Sequence, residues 1–333
     1  MSDSDDLPLS VLDLASVQEG KTITDAYAAT LALAKHAEKL GYGRFWMAEH
    51  HNISGIASSA TAVLLSYVAG GTESIRVGSG GIMLPNHSPL VIAEQFGTLE
   101  TLFPGRIDLG LGRAPGTDRV TMRALRRDMT HLEDDFSERI QELQEYLAHP
   151  TPEQKVIAIP GANLDIPIWI LGSSIYSAQL AAALGLPYVF AGHFAPEQML
   201  PALEIYYQAF VPSKARKGPY SMICVQGLAA DTDERARFLV TSLYQRFLGI
   251  LRNQRTLSKP PVESMDSLWS PDEKAAVESI FRYSLVGGPE TLAHKMDHLL
   301  ELTRADELMI CSEMFDLQDR LKSFEILMDV ANG

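Results

Sequence analysis

The 333-residue sequence predicts an α/β protein, a (β/α)8 TIM barrel with insertions after strands 4 and 7. Three observations predict it. Short apolar runs alternate with segments of helical spacing eight times along the chain. Several runs end in polar or ionisable residues: Glu49-His50-His51-Asn52 after the second, Arg113 after the fourth, Gly172-Ser173-Ser174 after the fifth and His193 after the sixth. Parallel strands are buried, and their carboxyl ends carry the chemistry. No composition break divides the chain, so residues 1–333 read as one domain, with 252–286 as an insertion or lid. An open doubly wound sheet is the rival, but its dinucleotide form needs Gly-x-Gly-x-x-Gly at the first βα turn. That turn here is Ser16-Val17-Gln18-Glu19-Gly20.

The elements follow from local signals. Leu7 to Leu14 reads as a first strand, and Thr22 or Thr24 caps the next helix, which Gly41 stops. Arg44 to His51 is the second strand, and Ser58 to Gly70 a small, apolar helix. Ile75 to Leu84 is the third strand, rich in glycine. Ser88-Pro89 opens a helix that ends at Pro104-Gly105. Arg106 to Arg113 is the fourth strand. Residues 118–149 read as one charged helix with Leu132, Phe136, Ile140, Leu143 and Leu147 on its apolar stripe. A Pro/Gly-rich connection follows, with a short strand expected at Val156–Ile159. Ile166 to Ser174, Pro187 to Phe194 and Tyr220 to Ala230 are the next strands, and Thr232 to Leu251 one long helix. Residues 252–270 lack periodicity and read as a long loop. Ser270-Pro271-Asp272-Glu273 restarts a helix with a capping box. Gly288-Pro289 starts another, Glu307 to Cys311 is the eighth strand, and Asp316 to Val330 the last helix.

Composition narrows the class. A net charge of −14 argues against nucleic acid or an anionic membrane as partner. The acidic start, Met1 to Asp6, lacks a basic n-region, and no run reaches the roughly 18 apolar residues of a membrane span. The expected location is the cytoplasm. Cys224 and Cys311 lie in apolar runs and read as buried, reduced thiols.

Three constellations carry chemistry. Glu49-His50-His51 invites a metal, but adjacent strand residues point to opposite faces, so His50 and His51 cannot converge while the strand continues. One imidazole, His50, then faces the pocket as an acid or base, and His51 packs behind it. Gly78-Ser79-Gly80-Gly81 interrupts a strand, as a bulge or as bare backbone for a large planar ligand. Gly172-Ser173-Ser174 opens a helix whose free N–H groups suit phosphate, and Arg113 adds a forked donor. The opposite, N-terminal strand ends show no comparable polar cluster.

These residues resemble the luciferase-like flavin-dependent monooxygenase family. The motifs are Ala48-Glu49-His50-His51, Gly80-Gly81-Ile82-Met83-Leu84-Pro85, Phe103-Pro104-Gly105-Arg106, Leu109-Gly110-Leu111-Gly112-Arg113 and Leu171-Gly172-Ser173-Ser174. They run over most of the chain in order. The resemblance implies FMN, used as reduced FMN from a separate reductase, and oxygen chemistry on a small organic substrate. It implies catalytic roles for His50 and Glu49. It implies flavin contacts from Ala48, Gly80, Gly81 and Gly172, and phosphate contacts from Arg113, Ser173, Ser174 and Ser177. It also implies a non-prolyl cis peptide at Gly80–Gly81, a mobile lid matching 252–270, and a homodimer, for which the helix 58–70 is suited. Gly112 stands where the luciferases have a reactive cysteine, and Ser173 where they have an acidic residue. Both departures argue against light emission and leave flavin in place. Deazaflavin-dependent hydride transfer, non-catalytic flavin binding and metal-dependent hydrolysis are the alternatives.

Overall fold

Strands that bury both faces must place alternate side chains in two separate cores, and this chain does so. The computed structural model describes residues 7–114, 117–125, 136–254 and 256–333. Its strands are β1 (Leu9–Asp13), β2 (Arg44–Met47), β3 (Arg76–Ser79), β4 (Ile82–Met83), β5 (Ile107–Gly112), β6 (Ile168–Gly172), β7 (Tyr188–Ala191), β8 (Ser221–Ala229), β9 (Leu285–Gly287) and β10 (Glu307–Cys311). The order β10-β1-β2-β3-β5-β6-β7-β8 is parallel throughout, and β10 closes it against β8. That is the expected eight-stranded barrel. β4 is a continuation of the third strand that pairs with β5, and β9 flanks the upper half of β8.

Among the described residues, twelve helices accompany the strands: α1 (Ile23–Leu40), α2 (Thr61–Gly71), α3 (Pro89–Leu102), α4 (Arg119–Ala124), α5 (Phe136–Leu147), α6 (Ile175–Leu184), α7 (Met199–Ala209), α8 (Asp233–Leu239), α9 (Thr241–Leu251), α10 (Pro271–Ile280), α11 (Pro289–Thr303) and α12 (Leu317–Ala331). Outward strand residues such as Val11, Phe45, Val77, Leu109, Phe190 and Ile310 pack in the helix-facing core. Inward residues Leu12, Trp46, Trp169, Val189, Met222 and Met309 form a second core inside the barrel. Trp46 and Trp169 meet edge to face at 5.3 Å there, so the interior is filled.

The insertion after β8 has its own core, built from Leu243, Phe247, Met265, Val277, Phe281 and Met314. The described residues of 252–270 form no helix or strand, as expected of a long loop, but the segment is anchored. Ser258 bridges to Gln18, Glu19 donates to the Ser258 carbonyl, and the Ser258 N–H donates to Val17. Those bonds tie the segment to the first βα loop. The expected helix 232–251 is divided at Val240, and the Val156–Ile159 strand does not form. There the chain runs into a cis Ile159–Pro160 bond, with Ile159 76 % exposed. Of the expected helix 118–149, residues 119–124 and 136–147 are helical, and Leu132 lies outside the described residues.

One expectation fails. The N-terminal barrel end does carry a polar cluster. Arg44 pairs with Asp108 at 2.7 Å and with Glu307 at 3.1 Å, and Arg76 pairs with Asp108 at 2.6 Å. Trp46 Nε1 donates to Asp108, Tyr220 Oη donates to Glu307, and Ser10 Oγ donates to Glu307. Asp108 and Glu307 are buried, so the cations and hydrogen bonds around them are what make burial tolerable. Each residue stands singly at the start of its strand. Only closure of the barrel brings them together.

Candidate active site

The second strand positions the site by parity. Trp46 and Ala48 belong to the interior core, so the next inward position is His50. Its backbone N–H is held by the Ser58 carbonyl at 3.0 Å, and its ring is half-buried. Glu49, one residue earlier, faces the other way and is 1 % exposed. Its carboxylate accepts from His51 Nε2 at 2.8 Å, His87 Nε2 at 2.9 Å, Asn86 Nδ2 at 3.1 Å and the Met83 N–H at 2.9 Å. Burial pushes this carboxyl up, but the bonds from His51, His87 and Met83 and the charge of His87 outweigh it and bring it down to about 2. Glu49 is thus an ionised hub that fastens the second βα loop to β4 and the turn after it. His51 and His87 each spend Nε2 on this carboxylate.

The peptide between Gly80 and Gly81 is cis. The bare backbone here has a packing reason. A Cβ on Gly80 would lie 2.6 Å from Leu12 Cδ1, and one on Gly81 would lie 2.8 Å from the Gly110 carbonyl oxygen. The glycines let β3, β4 and β5 approach one another and let Trp46 sit beneath them. Ser79 Oγ donates to the Gly110 carbonyl at 2.8 Å and locks that approach.

On the neighbouring strands, Arg113 follows β5 and Ser174 caps α6. The Arg113 guanidinium lies 4.2 Å over the Tyr176 ring, and among the described residues it makes no hydrogen bond or ion pair. Ser174 Oγ accepts from the Ser177 N–H at 3.4 Å, as an N-cap does. Ser177, expected to reach the phosphate, is 5 % exposed. Its hydroxyl donates to the Ser174 carbonyl at 2.7 Å and meets the Tyr188 hydroxyl at 3.1 Å. It braces the turn from behind. Gly172 makes room for it, since a Cβ there would stand 2.3 Å from Ser177 Oγ. Ser173 is half-buried between Gly172 and the helix start.

Two further residues reach the same barrel end. His193 lies just past β7, and Gln226 is the next inward position above Cys224 on β8. Gln226 Nε2 donates to the His193 carbonyl at 3.1 Å. Burial, with His50 and Arg246 nearby, lowers the His193 imidazole to about 3. Arg246 is paired with Glu313 at 2.6 Å, and Ser16 Oγ donates to Glu313 at 2.8 Å. His193 is visible in the sequence as a strand-end residue without a role. Gln226 is missed because it lies inside a long apolar strand, where a lone amide at an inward position was the available signal.

A groove of about 890 Å³ opens at the opposite end, lined among others by Arg44, Arg76, Asp108, Trp169, Lys214 and Arg216. Arg44 and Arg76 are committed there to the buried carboxylates, which marks that end as structural support.

Comparison with known proteins shows the family and the fold. The model of the luciferase-like monooxygenase family matches residues 8–307. The protein YvbT of Bacillus subtilis (strain 168) is 56 % identical over 98 % of this chain and 97 % of its own length. A luciferase-like monooxygenase of Escherichia coli (strain K12) is 50 % identical over 97 % of each. The structure of apo-MsnO8 superposes with a TM-score of 0.90 at 34 % identity, covering 97 % of this chain and 98 % of the other. Two more distant structures share the fold. The FMN-bound oxygenating constituent of 3,6-diketocamphane monooxygenase, from the CAM plasmid of Pseudomonas putida, has a TM-score of 0.72 at 19 % identity, covering 97 % and 96 %. An F420-dependent secondary alcohol dehydrogenase with an F420-acetone adduct has a TM-score of 0.68 at 13 %, covering 98 % and 100 %. By sequence and by architecture, the chain belongs to the luciferase-like monooxygenase family.

Proposed function

We propose that this protein is an FMN-dependent monooxygenase that oxidises a small organic substrate with molecular oxygen and reduced FMN from a separate flavin reductase. The observation that carries the reading is Arg113. A guanidinium without a protein counter-ion among the described residues rests on Tyr176 beside the Ser173–Ser174 start of α6. That donor set fits a phosphate, which takes charge-assisted bonds from arginine and from a helix N-terminus. The FMN in the diketocamphane monooxygenase structure supports the choice of flavin.

Reduced FMN would supply the two electrons with which one oxygen atom enters the substrate and the other leaves as water. The chain's own residues do the rest. Arg113, Ser173 and Ser174 hold the phosphate, with Gly172 and Ser177 shaping the turn. Ala48, Gly80 and Gly81 form the bed for the ring. His50 moves a proton at the reacting end, and Glu49 holds the loop that carries it. The apolar interior beneath, from Leu12 to Met309, keeps bulk water out. Residues 252–286 serve as the lid.

The same reading places the protein in the cytoplasm as a homodimer. Among the described residues no helix is long and apolar enough to cross a membrane. Val63 and Tyr67 on α2 are 69 % and 45 % exposed and suit a subunit contact.

Incubation with reduced FMN and ¹⁸O₂ over a substrate panel, read by mass spectrometry, tests the activity. The expected outcome is incorporation of one labelled atom, lowered about a hundredfold in His50→Ala. Turnover with reduced F420 in the absence of oxygen would overturn it in favour of hydride transfer. Flavin binding with no turnover on any substrate, and no effect of His50→Ala, would favour a carrier.

A further inference from the structure

Among the described residues, several buried polar atoms at the C-terminal end of the barrel lack partners, among them Nδ1 of His193, Oε1 of Gln226 and Oγ of Ser312 just past β10. Gln226 is 2 % exposed, and its orientation is fixed by the bond from Nε2 to the His193 carbonyl. The amide oxygen is therefore an acceptor with nothing to accept. Such an atom costs about 1–3 kcal/mol when left dry. Buried polar groups are nearly always satisfied, so an exception at a site mouth asks what fills it. Leu14, Ala48, Ile56, Leu171, Cys224 and Cys311 supply apolar surface to this barrel end. Arg246, whose charge reaches His193, is paired with Glu313 at 2.6 Å. His193 stays uncharged at neutral pH because burial, His50 and Arg246 oppose its protonation.

We infer that His193 and Gln226 form a polar subsite that receives a hydrogen-bond donor of the substrate, an uncharged molecule carrying an O–H or N–H such as an alcohol or an amide. The donor bonds Gln226 Oε1, and the neutral imidazole of His193 takes a second contact at Nδ1. A substrate anchored there is held near His50, whose charge His193 senses. Arg246 is already paired with Glu313 and is not free to receive an organic anion. The inference deepens the proposed oxygenation and rests on it for the identity of the ligand as substrate.

Acetamide and acetone share a shape and differ in the N–H, so they probe the subsite without any turnover. Crystals of the full chain soaked in each, and NMR titrations of each, read occupancy and affinity. Acetamide should bind with its N–H on Gln226 Oε1, about fivefold more tightly than acetone, the worth of one hydrogen bond. In Gln226→Leu that preference should vanish while the dissociation constant for FMN stays within about twofold. Equal binding of both probes, or only a water bridging the two residues, would overturn the inference. An FMN dissociation constant raised about tenfold by Gln226→Leu would overturn it too, because the flavin would then fill the subsite. If the wild type binds acetamide here but no FMN, the subsite stands and the flavin reading fails.

Discussion

Glu49 shows how a residue beside the chemistry can matter through what it holds. Its carboxyl is lowered from an ordinary 4.5 to about 2 against the cost of burial. A depressed acid contributes stability above its unfolded value and loses it as pH falls through the folded one. The contribution is about 3 kcal/mol above pH 4.5, falls between pH 4.5 and 2, and is gone below that. Glu49→Gln should therefore lower the melting temperature at neutral pH and shrink the gap from wild type as the pH drops below 4.5. Thermal denaturation at two pH values checks this, and an equal gap at both would count against the hub. The role of Glu49 follows from strand parity, which puts His50 inside and Glu49 outside. Its partners Asn86 and His87 are legible in the sequence as residues at the end of the third strand, but their convergence on Glu49 needs the turn after β4.

At the scale of elements, the barrel is held by backbone contacts that tolerate no side chain. A Cβ on Gly110 would lie 2.1 Å from the Ser79 carbonyl oxygen and 2.7 Å from Leu171. Gly110→Ala should cost more than about 4 kcal/mol, or prevent folding. Gly218→Ala, with nothing within 4 Å, should change stability by less than about 0.5 kcal/mol. Chemical denaturation of the pair gives the contrast. Local signals make some elements readable in advance. Thr22 and Asp25 form the capping box of α1, and Ser270 with Glu273 that of α10. Other features need the fold. Ile75 to Leu84 reads as one strand, yet it is interrupted at Gly80–Gly81, and both pieces pair with β5. The segment after α9 reads as loop because its order comes from Gln18 and Val17, far away in the chain.

The whole molecule divides its work between the two ends of the barrel. The N-terminal end is closed by Arg44, Arg76, Asp108 and Glu307, and the C-terminal end gathers His50, Arg113, His193 and Gln226. Arg44→Met removes a shared partner of two buried carboxylates and should cost about 3–5 kcal/mol without changing flavin affinity. Denaturant titration and FMN binding measured on the same variant separate the two effects. Arg113, at the C-terminal end, is proposed to hold the cofactor's phosphate. Anaerobic titration with reduced FMN tests it most directly, using wild type, Arg113→Ala and Arg216→Ala, the last a cation of the opposite groove. The expected result is saturable binding by wild type, a dissociation constant raised about 10- to 100-fold in Arg113→Ala, and no change in Arg216→Ala. No saturable binding by wild type, or a loss on Arg216→Ala rather than Arg113→Ala, would contradict it.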